Sequence, residues 1–273
     1  MNNTRHPLSS LLFAVMIIAL MAFPISAGAS HSWGRYHWAR TTTSFTLKLG
    51  DNVSDSWDTM LRTASNDPDS NDWSDSSVLD TVVVVPGGTT GITCAPTSGR
   101  VEVCSADYGN TNWLGVAQIW ITIGSHIAQG TVRNNDFYFK LSQYDTPAWR
   151  QLVMCQEIGH TFGLAHQDEN FNNANLGTCM DYTSDPDGPP SNENPNQHDY
   201  DQLASIYKHK DRFTSVGAAP AGTAPAGWAN ADVHAQENWG ELIGVSANGQ
   251  ESLYMRDFGN GYKIFTFVIW AQE

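Results

Sequence analysis

Residues 154 to 166 read MCQEIGHTFGLAH, and four of them carry groups that bind metals or move protons: Gln156, Glu157, His160 and His166. On a helix, residues four apart lie about one turn from each other on the same face, so Gln156 and His160 are neighbours. Glu157 is long enough to reach a water held by an ion at that face. Gly163 suits a left-handed helix end, and a turn there brings His166 back towards the same point. An amide oxygen, two imidazoles and a carboxylate thus converge from one short stretch, a set able to hold a zinc ion that activates water.

The elements that must position these groups are legible around them. Pro147 fits the first turn of a helix running to about Leu164. A second helix is expected near Asp199, including Leu203, Ile206 and Tyr207. Upstream, SFTLKLG (44–50) alternates like a half-buried strand, and Trp57, Met60, Leu61 and Ala64 recur at helical spacing. VLDTVVVVPGG (78–88) has the β-branched run of a buried central strand, so the three segments predict a strand–helix–strand crossover. WLGVAQIWITIG (113–124) and NDFYF (135–139) are further strand candidates. The predicted fold class is α/β.

Residues 217–227, GAAPAGTAPAG, have linker composition, and 228–273 end in YKIFTFVIWAQE, a β-rich segment too small for a core of its own. The expected organisation is an export signal over 1–29, a catalytic-type domain over 30–213, a linker over 214–228 and a docked β-rich extension over 229–273. The signal reading rests on Arg5, the apolar run Leu11 to Phe23 and the small residues Ala27, Gly28 and Ala29. It predicts secretion, to the exterior or the periplasm.

With 28 acidic against 14 basic residues and a formal charge of −14, the chain repels nucleic acid and anionic membranes, so neither is an expected partner. Four cysteines in an exported chain invite disulfides, and three pairings exist. Cys94 and Cys104 flank the turn-rich APTSGRVEV and are expected to staple a hairpin, which leaves Cys155 with Cys179; a free Cys155 thiol stays open. No CxxC pair supports a thiolate zinc site.

The stretch 156–166 resembles the metzincin zinc-protease signature H-E-x-x-H-x-x-G-x-x-H, which is followed downstream by a methionine turn; here CMDY (179–182) supplies Met180. Every fixed position matches except the first, where Gln156 stands for histidine. Within that family the chain is most similar to the matrixin-like group, over roughly residues 35–213. The resemblance implies a zincin-like domain with a twisted mixed sheet, an active-site helix and a Met-turn, and the activity of a secreted zinc-dependent endopeptidase. It makes Gln156, His160 and His166 the metal ligands and Glu157 the general base. Met180 becomes the floor beneath the metal, and Tyr182 an oxyanion stabiliser. It also implies a peptide or protein substrate held in extended form along an edge strand, placed within Gly115 to Gly124. A monomer is expected.

Gln156 leaves three readings open: it ligates through its amide oxygen, a donor such as His126 or His198 replaces it, or the site is metal-poor. The last reading makes the chain a catalytically weak or inactive secreted binding protein. The Asp and Asn cluster of 166–188 is a solvated loop or a calcium site, and it lacks EF-hand spacing. His31, His37, His209 and His234 sit in no motif and receive no role.

Overall fold

The computed structural model describes residues 30–220, 222–246 and 249–272; the expected export signal, 1–29, lies outside them. In chain order the elements are β1 (His37–Trp38), β2 (Phe45–Asn52), α1 (Asp55–Ser65), β3 (Leu79–Val84), β4 (Val101–Ala106), β5 (Trp113–Thr122), β6 (His126–Asn135), α2 (Pro147–His160), α3 (Gln197–Ile206), β7 (Glu241–Val245), β8 (Glu251–Gly259) and β9 (Tyr262–Trp270). They form a mixed α/β structure around one sheet of order β3-β2-β4-β6-β5-β9-β8-β7, with β1 paired to β6. Strands β2, β3, β4 and β6 run parallel, and β5 is antiparallel to both β6 and β9.

The predicted β2–α1–β3 unit is present, but β3 is the outer strand of the sheet rather than a central one. Leu79 and Thr81 point inwards while Val82 is 41% exposed, so the β-branched run packs on one face only. The Cys94–Cys104 disulfide is also present, without the hairpin. Because β4 lies between the parallel strands β2 and β6, the bond instead ties the preceding loop to a central strand.

Sequence reading missed β6 and placed a strand at 135–139, where only Asn135 is in a strand and Tyr138–Lys140 form a short turn. The strand was hidden by its polarity. Gln129, Thr131, Arg133, Asn134 and Asn135 are all buried. Arg133 donates to the Gln118 side chain and to the Val233 carbonyl, Asn134 Nδ2 donates to Cys104 O at 3.1 Å, and Asn135 Nδ2 donates to Gly109 O at 3.0 Å. These bonds pair most of the buried polar groups, as a sheet interior requires, while Thr131 Oγ1, Arg133 Nε and Asn134 Oδ1 have no partner.

Two cores flank the sheet. On one face α2 packs Leu152, Val153 and Ile158, with Phe162 just after it, against Leu114, Ala117, Ile119, Phe265 and Phe267. On the other, Trp228, Val233 and Trp239 cover Val116, Trp120, Ile264 and Val268. Each such aromatic or branched side chain contributes about 1.5–3 kcal/mol by leaving water. After Trp228 come β7, β8 and β9, and β9 pairs with β5, so these three strands extend the sheet. This overturns one expectation. β5 was expected to be an open edge for substrate, but its ten residues are all buried, and β9 pairs along it with Ala117 opposite Phe267.

No helix among the described residues is long and apolar enough to cross a membrane. Both cysteine pairs are bonded, which is consistent with an oxidising compartment.

Candidate functional site

Helix α2 begins where the sequence predicts. The Thr146 hydroxyl accepts from the Trp149 amide at 3.2 Å, and Pro147 occupies the first turn, where its missing N–H costs nothing. The helix ends at His160, short of the expected Leu164. The chain then reverses at Gly163, whose φ is +104° and where a Cβ would lie 2.5 Å from the Tyr36 carbonyl; both the angle and the space call for glycine.

That reversal brings the two histidines together, with His160 Nε2 and His166 Nε2 only 3.0 Å apart. His160 Nδ1 lies 2.8 Å from the Leu164 carbonyl, and His166 Nδ1 lies 2.7 Å from Glu169 Oε1. Leu164 O can only accept, and so can an ionised Glu169, so each ring carries its proton on Nδ1 and turns the Nε2 lone pair towards the other ring. Glu169 had no role in the sequence reading, although its place three residues after His166 was a readable cue. A metal-ligating histidine commonly donates its second ring N–H to such an acceptor. Burial, reinforced by His166 nearby, pushes His160 well below the ordinary imidazole range, so a proton on His160 is disfavoured as the species between the rings.

Gln156, Glu157 and His160 are fully buried, and His166 is 9% exposed. Gln156 Nε2 donates to Cys179 O at 2.8 Å, while its Oε1 has no partner. Neither Glu157 oxygen has a well-formed hydrogen bond. Burial pushes its carboxyl well above the usual range, and the Ala117 amide offsets only part of this. The Glu157 side chain lies against Gly115 of β5, where an added Cβ would meet its Cγ at 2.9 Å. The two facing imidazole lone pairs could hold a divalent cation such as zinc between them; on the same helix the Gln156 amide oxygen and the Glu157 carboxyl are buried without hydrogen-bond partners.

Met180 is buried, and its Sδ fills the space beside Gly159, where an added Cβ would lie 2.6 Å away. It therefore packs directly beneath the helix turn that carries His160. The Cys155–Cys179 disulfide holds this arrangement by joining α2 to the residue before Met180. Converting both cysteines to alanine should lower stability by about 2–4 kcal/mol, read as a shift in the urea midpoint.

Tyr182 stacks on Phe171 and lies 4.4 Å, ring to ring, from His166. Its hydroxyl donates to Val268 O at 3.3 Å, and burial keeps the phenol well above its usual range. The same strand supplies Phe267, whose ring stacks on His160 at 4.1 Å and 12°. β9 therefore roofs the site, a role that its apolar sequence did not disclose.

Of the proposed substitute donors, His126 is engaged elsewhere, whereas His198 keeps a buried Nδ1 without a hydrogen-bond partner, beside His31 and Asp199. His126 Nδ1 lies 3.1 Å from Ile123 O and its Nε2 lies 3.2 Å from Asp211, while His198 stacks on His31 at 4.8 Å. In the 166–188 loop, Asp168 accepts from Asn170 N and Asn173 Nδ2, and Asp181 accepts from Leu176 N and Asn192 Nδ2. No family model matches the sequence, and no curated protein matches it significantly.

Proposed function

We propose that the chain is a zinc-dependent metalloendopeptidase of metzincin type, whose site is kept closed by its own C-terminal strand. The observation that carries this reading is the 3.0 Å approach of the His160 and His166 Nε2 atoms, both rings oriented by acceptors on Nδ1, with Gln156 Oε1 and the Glu157 carboxyl buried and unpartnered on the helix that carries His160. His160, His166 and the Gln156 amide oxygen would hold the ion. Zinc bound there supplies Lewis acidity, polarising a carbonyl and lowering the pKa of a water towards neutrality.

The remaining work falls to the chain itself. Glu157 accepts the proton of the attacking water and delivers it to the leaving amine. A cation beside Glu157 reverses the effect of burial and favours its ionised form. The Tyr182 hydroxyl, which donates to the Val268 carbonyl, would donate in the same way to a substrate carbonyl that replaces it. β5 would pair with an extended peptide once β9 leaves, as β9 pairs with it now.

Gln156 sets the grip on the ion. An amide oxygen is a poorer zinc donor than imidazole, so Gln156→His should raise zinc affinity by about 10–100-fold, the scale by which ligand-environment changes alter such sites. Competition with a chromophoric chelator measures this.

One observation favours a second reading, that of a secreted binding protein without turnover: Gln156, Glu157 and His160 have no exposed surface. Hydrolysis of a quenched peptide library by the zinc-loaded chain, with and without chelator, separates the two. Chelator-sensitive cleavage supports the peptidase, and no cleavage at any zinc level once the site is opened supports the binding protein.

A further inference from the structure

Four side chains that share no sequence motif meet at the turn between β5 and β6. His37 of β1 is in register with His126 at the start of β6, and His209 and Asp211 arrive from the segment after α3. His126 Nε2 lies 3.2 Å from Asp211 Oδ1, and His37 Nε2 lies 3.4 Å from Asp211 Oδ2. His209 Nε2 lies 3.1 Å from His37 Nε2 and 3.7 Å from Asp211 Oδ1. The His37 ring stands at 76° to His126 and 79° to His209. A tetrahedral zinc ion with bonds of about 2.0–2.1 Å spaces its donors about 3.3 Å apart; His37, His126 and Asp211 offer donor atoms that all lie within 4.8 Å of one another, and His209 adjoins them through His37 and Asp211.

The outer partners of the rings point the same way. His37 Nδ1 is 2.7 Å from Arg35 O, and His126 Nδ1 is 3.1 Å from Ile123 O. A carbonyl can only accept, so both rings carry their proton on Nδ1 and present lone pairs at Nε2. The Asp211 carboxylate then faces two lone pairs with no hydrogen between them while the rings are neutral. The side chains of His37, Asp211 and His126 are 6%, 10% and 14% exposed, so little water reaches these groups. His209 is half exposed, at the wall of a surface cavity that Arg35 and Gln202 also line.

We propose that His37, His126, His209 and Asp211 bind one zinc ion as a structural site. Four protein donors leave no open coordination position, which marks structural rather than catalytic zinc. The ion would join the start of the chain at β1, the β5–β6 turn and the segment leaving α3. The proposal is independent of the reading of the His160–His166 centre. Its rival is a metal-free network in which protonated histidines pair with Asp211.

The test uses the full purified chain and its His209→Ala and Asp211→Asn variants. The first of these alters the most exposed ligand, and circular dichroism confirms that both variants fold. Zinc content is measured by mass spectrometry after passage over a chelating resin, and affinity by competition with a chromophoric chelator. The expected result is that each variant holds one zinc fewer than the unaltered chain, or binds it at least about tenfold more weakly. Cobalt loading should give the intense visible band of a tetrahedral ion, reduced by one equivalent in each variant. Equal zinc content and affinity in all three chains would overturn the site. The comparison is a difference, so it reads the same whatever the other centre holds. Zinc lost from His166→Ala but kept in His209→Ala would overturn this site and leave the first standing.

Discussion

A zinc-loaded Phe267→Ala chain should hydrolyse an extended peptide about 100-fold faster than the unaltered chain. The Phe267 ring is 2% exposed, stacks on His160 and packs against Trp33 at 5.4 Å. Truncating a buried phenylalanine costs about 3–5 kcal/mol, and each 1.4 kcal/mol is a factor of about ten in an equilibrium constant. On this account the lost energy is taken mainly from the closed arrangement, in which β9 lies on β5. The open population, and with it the rate, rises accordingly. Initial rates on a quenched peptide give the measurement, with a melting curve to verify that the variant remains folded. A folded variant with an unchanged rate would mean that β9 is not the barrier.

In that opened background, Glu157→Ala should reduce turnover by about 10²–10⁴-fold, the usual contribution of a positioned general base, while zinc content stays the same. Apart from the Ala117 amide, Glu157 has no polar partner whose loss would account for such an effect: neither oxygen has a well-formed hydrogen bond, and burial disfavours its charged form. A carboxylate kept bare inside the protein is a cost, which a proton-transfer role explains. Retained turnover in Glu157→Ala would remove it from the mechanism. Loss of zinc together with turnover would instead make it part of the metal's hold.

The approach of His160 to His166, 3.0 Å between their Nε2 atoms, was legible because it is local. His160 ends the helix, Gly163 supplies the reversal, and His166 follows three residues later, so the meeting of the two rings needed no knowledge of the rest of the chain. The alternating β2, the helical spacing of α1 and the capped start of α2 were readable for the same reason. Elements set by long-range satisfaction were not. β6 looks polar because Arg133, Asn134 and Asn135 find partners in other parts of the chain. β3 reads as central from its valines, yet only its position in the sheet decides that one face stays wet.

The role of β9 depends on the same kind of information. YKIFTFVIW reads as a strand, but nothing in its letters says that it pairs with β5, some 150 residues earlier in the chain. The His37–His126–His209–Asp211 cluster escaped notice because its members are scattered along the chain and meet only when β1, β6 and the segment after α3 are in place.

Gln156, His160 and His166 are proposed to hold a zinc ion. A crystal structure of the zinc-soaked chain, with anomalous data at the zinc edge, tests it directly. The expected result is an anomalous peak between His160 Nε2 and His166 Nε2, with Gln156 Oε1 within about 2.0–2.2 Å of it. An empty gap between the two imidazoles, with Gln156 held only by the Cys179 carbonyl, would contradict it.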